Sequence, residues 1–117
     1  MALCRRAASV QRRLGDRSRT ATALDRAGEA CRDLGRFGEA ADLHREAAGI
    51  HRELDDRWQL AGALGNLALC LDADGAAERA GKHWADALGL LAGFDDPQAL
   101  ALRRRIAWRL GRLPGDG

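Results

Sequence analysis

Apolar residues recur every three or four positions along this chain, in stretches separated by short polar punctuation. The first stretch shows the spacing in the stripe Leu3, Ala7, Val10 and Leu14. Asp16, Asp56 and Asp96 each follow one stretch and precede another, where an aspartate can accept the free N–H groups of a starting helix. Pro97 suits a first helical position. Gly35, Gly75 and Gly111 close the stretches so started, since glycine tolerates the left-handed residue that follows a helix. The pattern predicts six helices, over 1–14, 18–34, 37–53, 57–73, 77–92 and 97–110.

The punctuation also repeats. Leu14-Gly15-Asp16-Arg17 returns forty residues on as Leu54-Asp55-Asp56-Arg57, and forty further on as Phe94-Asp95-Asp96-Pro97. At that offset residues 1–17 match 41–57 at Leu3/Leu43, Ala7/Ala47, Ala8/Ala48 and Arg12/Arg52, and 21–57 match 61–97 at Ala21/Ala61, Leu24/Leu64, Gly35/Gly75, Ala40/Ala80 and Ala47/Ala87. Small and apolar residues dominate the matches, as a packing repeat requires. The chain is therefore an array of one helix-turn-helix unit, with whole units over 18–53 and 57–92, a half unit over 1–14, a terminal helix over 97–110 and a disordered tail over 112–117.

Composition agrees with an all-α fold. Charged residues make up 31% and aromatics 4%, and there are two prolines, which favours alanine- and leucine-rich helices over strands. No apolar stretch approaches the roughly 20 residues of a membrane span, and Arg5-Arg6 interrupts any signal-peptide core, so a cytoplasmic location is expected. Cys4, Cys31 and Cys70 lie far apart without metal-binding spacing and read as buried reduced thiols. The net charge of +2 is uneven. Residues 1–20 carry six arginines against Asp16, and 97–117 carry five against Asp116, so the ends are basic and residues 21–96 sum to −7.

Counted from Ala21, small residues fall at the eighth, twentieth and twenty-seventh places (Gly28, Ala40, Ala47), with Leu24 at the fourth; counted from Ala61, the same places hold Ala68, Ala80, Ala87 and Leu64. Leu34-Gly35-Arg36-Phe37-Gly38-Glu39-Ala40 and Ala63-Leu64-Gly65-Asn66-Leu67-Ala68 complete a pattern that resembles the tetratricopeptide repeat. The physical reason for such places is close approach: two antiparallel helices interdigitate where one lacks bulk. The period is forty residues rather than the usual thirty-four or so, so the resemblance is to the longer subclass of kinesin light chains, Leu-Gly-Asn adaptors and many bacterial regulators. Ala77 replaces the aromatic expected two residues past the turn. HEAT and armadillo repeats share the length, but neither proline here falls inside a helix. The resemblance implies antiparallel helix pairs stacked into a short right-handed superhelical solenoid of about six helices.

It also implies a concave groove lined by the first helix of each unit. Carried over place by place, that groove comprises Thr22, Asp25, Glu29, Arg32 and Asp33, then Gly62, Gly65, Leu69, Asp72 and Ala73, then Leu102, Arg105 and Arg109, with Asn66 beside it. Such a surface runs from acidic, over a bare glycine and leucine floor, to basic, and suits a peptide of mixed charge; it reads equally as an ordinary solvated face. Asn66 itself reads first as a hydrogen bond between neighbouring helices. Under the forty-residue register Trp108 takes the place of Gly28 and Ala68, where it would cover the open end of the array. A second register also fits, because Leu110-Gly111-Arg112-Leu113 mimics Leu34-Gly35-Arg36-Phe37.

Sharper chemistry is not encoded. His44 and His51 lie seven apart on one face, with His83 aligned one unit on, but nothing at helical spacing supplies a third metal ligand, so they read as solvated or interhelical. The carboxylates fall on polar faces or in turns, and the sole lysine, Lys82, is not in a phosphate-binding loop. No enzyme activity, cofactor or metal is expected. Three functions fit: a protein- or peptide-binding module, as in the sensory part of a bacterial regulator; homodimerisation through the open edge Leu3, Ala7, Val10 and Leu14; and nucleic-acid binding by the arginine-rich ends. The last is weakened by the acidic middle and the lack of interleaved aromatics.

Overall fold

The computed structural model describes residues 16–111. The helix expected over 1–14, with Leu3, Cys4, Ala7, Val10 and Leu14, and the tail 112–117 lie outside the described residues. Those described form five helices and no strand: α1 (Arg17–Asp33), α2 (Phe37–Glu53), α3 (Arg57–Ala73), α4 (Ala77–Leu91) and α5 (Pro97–Leu110). Each packs against the next, and α1 also touches α3. The smallest dimension, 20 Å, is that of two helices side by side.

Local chemistry starts these helices where the sequence places them. Asp16, Asp56 and Asp96 accept from the backbone N–H of Arg19, Gln59 and Ala99 respectively, and Pro97 opens α5. The turns recur every twenty residues. Gly35 donates to Arg32 and Arg36 to Cys31; Asp55 donates to Arg52 and Asp56 to His51; Gly75 donates to Asp72 and Ala76 to Leu71. These paired bonds satisfy the last carbonyls of a helix around one left-handed residue, with φ of 77° at Gly35, 55° at Asp55 and 86° at Gly75. Gly111 departs from expectation: it is the C-cap of α5, with φ of −68°, and so is not itself in the left-handed conformation. The third copy of the joint departs too. Helix α4 stops at Leu91, and Phe94 donates to the Leu91 carbonyl, so residues 92–96 make a longer connection than at 54–56.

Alanine sets the helix separations. Ala21, Ala40, Ala47, Ala61, Ala68, Ala80 and Ala87 are fully buried, which lets neighbouring backbones approach closely. Helix α3 is flanked by both α2 and α4 and buries Leu60, Leu64, Leu67 and Leu71 with its alanines. Trp84 on α4 is buried as well, and the Arg109 guanidinium of α5 stacks over its ring at 5.6 Å. Each unit is clasped at one end. Arg17 at the start of α1 pairs with Glu53 at the end of α2, whereas Trp58 in α3 meets Phe94 after α4 edge-on, with ring centres 5.6 Å apart. Trp108 is 60% exposed on α5, as is Leu100 at 41%.

Candidate functional site

The first helices α1, α3 and α5 share one face, and two depressions adjoin on it. One, of about 580 Å³, is lined by Thr22, Asp25, Arg26 and Glu29 from α1 with Gln59, Gly62, Ala63 and Asn66 from α3. The other, of about 550 Å³, lies between α3 and α5 and includes Gly65, Leu69, Trp84, Leu102, Arg105 and Arg109. Gly62 and Asn66 line both, so the two depressions adjoin there. A Cβ placed on Gly62 or Gly65 would meet nothing within 4 Å, so the floor is open above both glycines.

Ten of the fourteen residues carried over from the repeat pattern thus come together: Thr22, Asp25, Glu29, Gly62, Gly65, Asn66, Leu69, Leu102, Arg105 and Arg109. Arg32, Asp33, Asp72 and Ala73 line neither depression. They occupy the last turns of α1 and α3, beyond the stretch where neighbouring helices form walls; Asp33, Asp72 and Ala73 are exposed and Arg32 is half-buried. Asn66, expected to bridge helices, lines both depressions instead.

Asp25 needs a correction of a different kind. It borders the first depression, but its oxygens are engaged from behind: Oδ1 lies 2.8 Å from His44 Nδ1 and Oδ2 3.1 Å from His51 Nε2. Both rings are buried, and the carboxylate is 16% exposed. The histidines are interhelical, and Asp25 is the third group that helical spacing did not reveal, because it comes from the partner helix. These three stand at hydrogen-bonding distances, and among the described residues no trio of histidine, cysteine or acidic side chains is arranged to hold a metal ion. Only an extended aspartate side chain at a small-residue interface could have hinted at the joint.

The remaining titratable groups follow their surroundings. Cys31 and Cys70 are buried free thiols. Burial pushes the Cys70 thiol up, opposed by Arg32 and aided by Cys31. His83, half-buried on α4, is held below the ordinary imidazole value first by burial, then by Arg45, Arg79 and Arg52, against the pull of Asp86. No described helix is long and apolar enough to cross a membrane. In comparisons with known proteins, no family model matches the chain and no curated protein is similar enough to count as a relative.

Proposed function

We propose that the face shared by α1, α3 and α5 is a recognition groove for an extended peptide segment of a partner protein, presented by a tetratricopeptide-like solenoid. The observation that carries this reading is that two depressions adjoin along this face, with Gly62 and Asn66 lining both. Adjoining open hollows along one face suit an extended chain, whose successive side chains can enter them. The charges order the ligand: Arg105 and Arg109 favour an acidic residue at the α5 end, and Glu29 favours a basic one at the α1 end. Leu69 and Leu102 favour an apolar residue between them.

Selection of peptides from a displayed library on the purified chain tests this reading. A selected peptide is expected to lose at least about tenfold in affinity with Gly65→Leu, which fills the floor, or with Arg105→Glu, and to be unaffected by Arg79→Glu on the exposed side of α4. Failure to enrich any peptide, or binding that responds to Arg79→Glu alone, overturns it. A ligand of the folded chain also raises the melting temperature by mass action.

Self-association is a second reading, favoured by the exposed Leu100 and Trp108 on one stripe of α5. A molar mass by light scattering that stays monomeric across concentration removes it.

A further inference from the structure

A further hollow lies on the other side of α3. It has a volume of about 610 Å³, and its lining includes Arg52 of α2, Leu60 and Leu64 of α3, and Asp86, Gly89 and Leu90 of α4. At about 3.6 residues per turn, Leu60 and Leu64 share a side of α3 roughly opposite Gly62 and Leu69, which line the candidate face. Leu60 and Leu64 are buried and Leu90 is half-buried, whereas Arg52, Asp86 and Gly89 are exposed, so the hollow offers apolar surface beside exposed charges. Gly89 leaves it open: a Cβ there would meet nothing within 4 Å, and no packing inside the chain asks for glycine at this helical position, where alanine is the better helix former.

The charge on this side is shown by what acts on His83. That ring stands in the field of Asp86 and Arg79 from its own helix and of Arg45 and Arg52 from α2. Two of the four, Arg52 and Asp86, line the hollow. Arg79, His83, Asp86 and Leu90 follow at spacings of four, three and four residues, which is one stripe of α4, and Arg45 and Arg52, seven apart, share a stripe of α2. Arg45 is engaged by Asp42 at 2.8 Å, whereas Arg52 and Arg79 form no ion pair among the described residues. Three guanidiniums therefore stand against the one carboxylate of Asp86 in this group.

We propose that the α2–α4 side carries a second recognition site, for an acidic segment of a partner protein: one apolar side chain seats in the hollow at Gly89, and acidic residues beside it meet Arg52 and Arg79. This inference does not rest on the peptide reading of the opposite face.

The two parts of the site do different things. Exposed ion pairs are weak and screened by salt, so burial of the apolar anchor supplies most of the affinity. The arginines supply the choice of ligand, because an acidic segment meets three attractive charges and one repulsive one, and a basic segment meets the reverse. Gly89 and Arg79 are ten residues apart on α4, about 15 Å along its axis, which four to five extended residues span. A nucleic-acid backbone would use the arginines and leave the apolar hollow empty.

Peptide display on the chain carrying Gly65→Leu, which fills the opposite face, tests the site. The library holds one fixed leucine flanked by positions that sample acidic, basic and neutral residues. Acidic flanks should be enriched. An enriched peptide should lose at least about tenfold in affinity with Gly89→Leu or with Arg52→Glu, and bind more tightly with Asp86→Asn. On the native chain it should shift the amide resonances of Arg52, His83 and residues 85–90 and leave Gly62 and Gly65 unmoved, a measurement that needs no variant to fold. Should Gly65→Leu not fold, selection on the native chain with the same resonance map replaces it. The site is overturned by no enrichment, by basic or neutral flanks, by affinity that needs the arginines and ignores Gly89→Leu, or by shifts confined to residues 62–69.

Discussion

Gly28 and His44 occupy each other's van der Waals space: a Cβ on Gly28 would lie 2.6 Å from His44 Nε2 and 2.8 Å from Cδ2, so the buried imidazole rests on the bare backbone of α1. Gly28→Ala is expected to destabilise the chain by about 2 kcal/mol, because a fully enclosed ring cannot move aside. Gly49→Ala and Gly89→Ala are helical positions with nothing within 4 Å of a new Cβ, and each should stabilise by up to about 1 kcal/mol. Urea unfolding of the three variants checks the opposite signs.

Close packing therefore accounts for the helical glycine at Gly28 and not for Gly49, Gly62, Gly65 or Gly89, where a Cβ would meet nothing within 4 Å. Sequence reading found the small place at 28 because a repeat displays it. It could not find what fills that place, since His44 is sixteen residues away on another helix.

Asp55 holds φ at 55° where the equivalent turns use Gly35 and Gly75. An aspartate bears a modest steric penalty there, and its side chain is exposed, so Asp55→Gly should stabilise by about 0.5–1 kcal/mol. Gly35→Ala should cost about 1 kcal/mol for the same reason. A thermal melt in which Asp55→Gly lowers the midpoint would contradict this account of the turn.

His83 adds a pH dependence of its own. Its folded value is lowered, chiefly by burial and then by three arginines, so below the ordinary imidazole range the unfolded chain binds the proton more readily. Its contribution is fully present above that range and is lost as pH falls toward the folded value. His83→Gln should therefore lose less stability than the native chain between about pH 7.5 and about pH 5.5. Parallel urea midpoints for the two proteins would count against the lowered value.

Cys31 and Cys70 are fully buried, and burial keeps Cys70 in its unreactive thiol form. In a Cys4→Ser background, iodoacetamide should label both at least roughly a hundredfold more slowly in the folded chain than in urea, because labelling waits for opening. Mass spectrometry over time reads the rate. Rapid labelling of either thiol without denaturant would show that α1 and α3 are not closed over them.

What the sequence made legible was local. The caps at Asp16, Asp56 and Asp96 depend on residues three apart, and the bounds 37–53 and 57–73 coincide with α2 and α3. The early end of α4 was not legible, since the Phe94 ring that closes the connection meets Trp58 thirty-six residues earlier. On the candidate face, the places in the middle of each helix line the two depressions, whereas Arg32, Asp33, Asp72 and Ala73, in the last turns, line neither. Asp25 was assigned to the groove by its place and to the α1–α2 joint by its partners, and only tertiary geometry reveals the second role.

The aromatic clasp between Trp58 and Phe94 has an optical consequence. All three tryptophans, Trp58, Trp84 and Trp108, lie on α3, α4 and α5, and α1 and α2 contain none. Intrinsic fluorescence therefore watches the half of the molecule with the apolar centre and is blind to the half with the ionisable one.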